Sequence, residues 1–490
     1  MAVEKGFPKP PRLGLKHKPV SKSRVNFDIL YLVMTYSSLH GLLAMMQTCH
    51  TLQSAGVKLL LDRQLSVSGR RHLRSFCRFM LVDVFRRFTS LRSATLLAGD
   101  ILPSDTSTIA MLTEVFNHAS SLEWLEVDIP SEVLDTHPKL VQALSSLSSL
   151  QTLSFCGPTK QAHADLISSM CSPLTEVNLS FVGARPSQGL PHILERFAGS
   201  LKVLRVHDIS CTRAATSQFP QVHTLEASLE DAQYDVSTWI HSFPNLTKLR
   251  IIPGGASLNP NDLDRHRTQN VFTQDSKRWS QVQYLSGYIE DLYVAALTCN
   301  VGHLRVALGD TTWAAELAAV LESTHPQRLT VELELDEDNW NEEWLGPLIA
   351  CALTVKDVKL ELVVNPIAAL QVDPIITCLL ALPVTSHVEN LDLAIQLEIT
   401  YDAIGPNSLG PVVKTLREVD VRGFVQKLAQ ALGSMHQLRI FIPYNSESAW
   451  QFDRQEESGV IVQERLYLET CKWSETDVLI CPSHDGDTDS

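Results

Sequence analysis

The sequence lacks the motifs that readable active-site chemistry requires. It holds no Walker-type phosphate loop, no Gly-x-Gly-x-x-Gly, no Gly-x-Ser-x-Gly and no His-Glu-x-x-His, so no recognisable phosphate cradle, nucleophile elbow or zinc site is present. It has no Cys-x-x-Cys pair either, and its 10 cysteines are scattered from Cys49 to Cys481. That pattern excludes a dense disulfide framework and points to reduced thiols in cytoplasm or nucleus. Positive charge is in deficit, with 41 Lys and Arg against 55 Asp and Glu and a net charge of −14. Phosphate binding needs concentrated Lys and Arg, so nucleic acid is not expected as a general partner. Long apolar runs are short of what a bilayer demands. The most apolar early stretch, Phe27–Met46, carries Asp28, His40 and several Ser and Thr, so no membrane span is expected.

Weaker chemical signals dissolve on inspection. Asp336, Glu337, Asp338, Glu342 and Glu343 form an acidic cluster, but the glycine and twelfth-position glutamate of a calcium loop are missing. A solvated turn is expected there. Cys49 adjoins His50, yet adjacent helical side chains point in different directions and no orienting acid is identifiable. The triplets at Asn178 and Asn245 fit a glycosylation pattern but fall on or beside predicted strands. No catalytic, cofactor-binding or metal-binding residue emerges, and the chain reads as a non-enzyme without a cofactor.

What is present is a repeat. In Leu122–Asp128, alternation turns Leu125 and Val127 inward and Trp124, Glu126 and Asp128 outward, with Leu122 turning in just ahead. The Leu-x-x-Leu-x-Leu outline returns at Leu150, Leu174, Leu201, Val222 and Leu246, at intervals of 28, 24, 27, 21 and 24 residues. Those intervals match a leucine-rich repeat. Looser copies begin at Val301, Val355 and Val388, and Leu416–Val421 and Leu438–Ile440 continue the series. Between them lie helical faces such as Ile109, Leu112, Val115 and Phe116. One unit turns in a few aliphatic side chains at about 1.5–3 kcal/mol each, while ordering its backbone costs roughly 1–2 kcal/mol per residue. Only stacked neighbours sharing a core overcome that cost, which predicts an α/β solenoid with parallel strands on the concave face and helices on the convex face.

The ends differ from the repeats. Residues 1–25 are basic and proline-bearing, a flexible tail with a possible reading as a nuclear-import or docking segment. Residues 26–65 read as a small all-α module, with a break expected at Ser54-Ala55-Gly56. Residues 66–90 form a linker and capping helix whose Arg residues are its wet face. The solenoid spans 91–445, interrupted by a long polar loop at 254–280. Residues 446–490 form a C-terminal cap and acidic tail.

Asp28-Ile29-Leu30 with Val33, then Leu42-Leu43, Thr48-Cys49, Leu52 and Leu59-Leu60-Leu61, resembles an F-box, a three-helix module that precedes a recognition domain. The stretch from Asn259 to Leu297 is similar to the insert of repeat-containing fungal F-box proteins. The opening differs, with Asn26-Phe27 in place of Leu-Pro, and His50 stands where Arg is usual. The resemblance implies a substrate-recognition subunit of a Skp-cullin-F-box ubiquitin ligase. Ile29, Leu30, Val33, Leu42 and Leu43 would then dock on a Skp-type adaptor joined to a cullin. The solenoid would hold a target protein through outward strand residues, among them Trp124, Glu126, Asn178, Arg205, His207 and Arg250. Trp124 either anchors a partner or is covered by a neighbouring loop. The alternative is a repeat scaffold without ligase association.

Overall fold

A computed structural model describes residues 26–465 apart from 158, 181–188, 208–216, 229–235, 253–259, 276, 310–311, 336–341, 365–386, 398–415, 417, 433, 443–445 and 456–458. The basic N-terminal tail, most of the acidic cluster and the tail beyond Arg465 lie outside the described residues.

The chain begins with three helices, α1 (Phe27–Tyr36), α2 (Leu39–Met46) and α3 (His50–Asp62). A strand–helix succession follows: β1 (Leu65–Ser68), α4 (Arg70–Val82), α5 (Val84–Arg87), β2 (Ser93–Leu97), α6 (Thr106–His118), β3 (Trp124–Asp128), α7 (Ser131–Thr136), α8 (Pro138–Ser145), β4 (Thr152–Phe155), α9 (Gln161–Ser169), β5 (Glu176–Ser180), α10 (Leu190–Leu194), β6 (Val203–His207) and β7 (Thr224–Ser228). It continues through α11 (Val236–Ser242), β8 (Lys248–Ile252), α12 (Pro260–Gln274), β9 (Gln281–Tyr288), α13 (Ile289–Ala295), β10 (Asn300–Leu308), α14 (Ala314–Thr324), β11 (Arg328–Leu335), α15 (Glu342–Ala352), β12 (Asp357–Val364), β13 (Asn390–Leu397), α16 (Val421–Ala431), β14 (Gln437–Ile442), β15 (Ser446–Gln455) and β16 (Gly459–Arg465).

The strands form one 16-stranded sheet in sequence order. β1 to β14 run parallel, and β15 and β16 close the end as antiparallel strands. Register is uniform: Leu125, Leu153, Val177, Leu204, Leu225 and Leu249 pair in one row, which continues through Leu285, Leu304, Leu329, Val358, Leu391 and Leu438. This row and the next inward one merge with the helices into a continuous core. Every second strand position therefore faces the helices, and the alternate positions form a second face that, among the described residues, no helix covers. Strands lie about 4.8 Å apart, whereas packed helices need roughly 8–10 Å. A helical layer at that spacing needs a longer arc than the sheet it covers, which is the physical reason that stacked arrays of this kind curve.

Three local readings of the sequence change. Ser54-Ala55-Gly56 does not break a helix but lies inside α3, because Gly56 lets α3 approach its neighbours. A Cβ there would stand 2.2 Å from Met46 Cγ and 2.8 Å from Met34 Cε. The segment 254–280 is not a plain loop, since most of it is α12. Its buried stripe is mostly polar, His266, Asn270 and Gln274 with Leu263 the one apolar member among the described side chains, so apolar periodicity gives little signal. Asn270 accepts from Val236 N at 3.2 Å and donates to Val294 O at 2.8 Å, and Gln274 donates to the carbonyls of Ala295 and Ala296. Finally, Leu416 and Glu418 are helical rather than part of a strand, and Asp420 caps α16 by accepting from Gly423 N at 3.0 Å. The buried Leu416 and half-buried Val419 are three residues apart, a helical spacing.

Candidate functional site: an apolar helical face and an open sheet face

The three N-terminal helices have a core of their own, built from Met34, Leu42, Leu52, Leu59 and Leu60. Asn26 opens α1 by accepting from Asp28 N at 3.1 Å, and Ser38 opens α2 by accepting from Gly41 N at 3.3 Å. Arg63 then ties the module shut, donating to the carbonyls of Met34, Thr35 and Ser37 at the end of α1. With that core satisfied, α1 still presents Ile29, Leu32, Val33 and Tyr36 outward, the i, i+3, i+4, i+7 spacing of one helical stripe. Leu39 and Leu43 extend the exposed apolar surface on α2, and Tyr36 is 83% exposed.

The sequence-predicted docking residues therefore divide. Ile29, Val33 and Leu43 are exposed, Leu30 is half-buried, and Leu42 is fully buried in the module's core. Leu42 can support a docking surface but cannot contact a partner in this conformation. Phe27, Leu32, Tyr36 and Leu39 belong to the exposed surface and were not singled out as docking residues from sequence. The signal was present in the 29–36 spacing.

On the sheet, all six predicted target-binding residues occupy outward positions. Glu126, Asn178, Arg205 and Arg250 fall in one transverse row, filled in by Thr95, Ser154 and Glu226. The row runs on through Ser286, Arg305, Thr330, Lys359, Asp392 and Arg439. Trp124 is half-buried in the preceding row beside Thr152, and His207 lies in the following row beside Ser180. Sequence reasoning did not single out the row beyond β8, where the repeat outline is looser.

Much of this face is paired with itself. Glu126 accepts from Thr95 Oγ1 at 3.0 Å and from Cys156 Sγ at 2.9 Å, and Asn178 donates to Ser154 Oγ at 3.2 Å. Arg205 bridges Glu176 and Glu226, and Arg250 reaches Glu226 at 3.2 Å. Glu332 and Glu361 stand directly opposite one another, a like-charge pairing that Arg305 offsets by bridging both at 2.8 and 3.6 Å. Lys359 adds a contact to Glu361 at 2.6 Å. Burial, then the charges of Arg328, Arg305 and Lys359, hold His303 below the usual imidazole range, while burial raises the Asp392 carboxyl.

Burial pushes the thiols of Cys77, Cys299 and Cys351 up to about 12, 11 and 11, leaving them protonated and weakly nucleophilic. Among the described residues no group of three or more metal-ligating side chains is assembled, and no helix is long and apolar enough to cross a membrane. The class defined is a solenoid-like α/β array with an open sheet face, preceded by a three-helix module with an exposed apolar stripe. The chain matches no protein-family profile and no curated protein.

Proposed function

We propose that the chain is a non-catalytic recognition subunit of a Skp-cullin-F-box ubiquitin ligase, its repeats being degenerate leucine-rich repeats and α1–α3 an F-box. The observation that carries this reading is the apolar stripe of Ile29, Leu32, Val33 and Tyr36, left exposed although the module has a complete core. Exposed apolar surface of this kind marks a docking site. The adaptor and its cullin would cover α1 and α2, and the open sheet face would hold a target protein. The contribution to rate is proximity: a target lysine and a ubiquitin thioester are brought together at high effective concentration, with no new bond chemistry from this chain. The free thiols Cys49, Cys77, Cys156, Cys171, Cys299 and Cys351 suit a reducing cytoplasm or nucleus.

Co-purification tests the reading. Tagged full-length protein should retain a Skp-type adaptor and cullin, and Ile29→Asp or Val33→Asp should release both while the protein stays folded. If wild type retains neither under conditions that serve an established F-box protein, a repeat scaffold without ligase association is the better description. The Asn26-Phe27 opening favours that second reading.

A further inference from the structure

The open sheet face is unevenly charged. Toward β2–β7 the carboxylates Glu126, Glu176 and Glu226 find donors on the face itself, but three adjacent strands in the middle carry no carboxylate of their own. The outward positions of β8, β9 and β10 carry Lys248, Arg250, Tyr284, Ser286, His303 and Arg305, and none of their outward positions carries a carboxylate. A local excess of cation stands out in a chain of net charge −14. The two arginines are drawn apart, Arg250 toward Glu226 on β7 and Arg305 toward Glu332 and Glu361 on β11 and β12. Between them Ser286 is 5% exposed, and its Oγ has no hydrogen-bond partner. A buried hydroxyl without a partner is costly, so such groups are rarely left unpaired without a reason.

Resting on the proposal that this face holds a target, we infer that Arg250, Ser286 and Arg305 form an oxyanion subsite for an acidic side chain of the target. Arg250 and Arg305 sit two strands apart, roughly 10 Å between backbones, a span that two arginine side chains close over one carboxylate or phosphate. Arg250 is 51% exposed and has room to turn from Glu226 toward a guest. Ser286 Oγ–H would donate to the guest oxygen from below, and each guanidinium would donate from one side. Tyr284, packed edge-on against His303 at 5.3 Å between ring centroids, offers a rigid wall beside the site. Arginine and tyrosine together are the residue types that dominate binding hot spots. The same oxyanion chemistry comes from an Asp or Glu side chain or from a phosphorylated Ser or Thr.

The test uses immobilised full-length protein and three degenerate peptide libraries that differ only at a fixed central residue: glutamate, phosphoserine or glutamine. Retention of the glutamate or phosphoserine library over the glutamine library supports the subsite, and whichever is retained more strongly identifies the source of the anion. Arg250→Glu and Ser286→Ala should each weaken that retention by roughly tenfold or more. Lys139→Glu, an equal charge change on the exposed side of α8, should leave retention unchanged. Equal retention of all three libraries, or wild-type behaviour from Arg250→Glu, overturns the subsite. The two proposals fail separately. A cellular target captured equally by wild type and Arg250→Glu removes the subsite alone, whereas loss of the adaptor from wild type removes the ligase reading alone.

Discussion

Leu204→Ala is the sharpest probe of how this chain is stabilised. Leu204 is fully buried on β6, with Val177 and Leu225 as its row partners on β5 and β7. Truncating a leucine in such a place removes its transfer free energy and leaves a cavity, about 3–4 kcal/mol together. In a stacked array each unit touches only its neighbours, so the loss should be local. Hydrogen exchange of full-length protein should show amides of β5–β7 exchanging on the order of a hundredfold faster. β13 and α1–α3 should keep wild-type rates. The converse variant, Leu42→Ala, should loosen α1–α3 and spare the sheet, because Leu42 belongs to the separate helical core. Uniform acceleration across sheet and helices after Leu204→Ala would refute the nearest-neighbour account and require one cooperative core. No acceleration at β5–β7 would refute the assignment of Leu204 to the core.

Three further outcomes follow from single sites. Gly56→Val should destabilise α1–α3 by about 1–3 kcal/mol, since its Cβ meets Met46 and Met34, and a thermal melt should show an early transition absent from wild type. Burial first, and the charge of Glu290 second, raise the Asp291 carboxyl from 3.8 to about 7. Its stabilising neutral form is fully populated below the unfolded value, so stability should fall as pH rises through about 7, and Asp291→Asn should flatten that dependence in denaturant titrations. His163 behaves oppositely: burial lowers it while it accepts from Lys160 N and donates Nε2–H to Ile129 O at 2.8 Å. Stability should fall as pH drops below the ordinary imidazole value, and His163→Gln should weaken that acid sensitivity in the same titrations.

The sheet was legible in the sequence because its inward rows are aliphatic at strand spacing. Leu125, Leu153, Leu204 and Leu249 sit in one row as their repeat positions predict. The outward positions followed from the same alternation, which is why Trp124, Glu126, Asn178, Arg205, His207 and Arg250 all fall on one side of the sheet. What escaped was structure held by polar contacts or by absent side chains. α12 buries His266, Asn270 and Gln274, the last two bonded to backbone groups, so its inner face resembles a loop in composition. Gly56 reads as a break until Met34 and Met46 are placed against it. β1 is short, with Leu65 and Val67 alone turned inward between serines, and it lay inside a segment read as the module's end and a linker. Leu42 was grouped with docking residues because helical spacing alone does not say which of two apolar sides is covered.

The most direct measurement is a calorimetric titration of a purified Skp-type adaptor into the full-length protein and into its Val33→Asp variant. Saturable binding by wild type, with a negative heat-capacity change from apolar burial and its loss in Val33→Asp, is the expected result. Failure of wild type to bind, or equal binding by both, would contradict the claim that the exposed stripe of α1 is the docking surface.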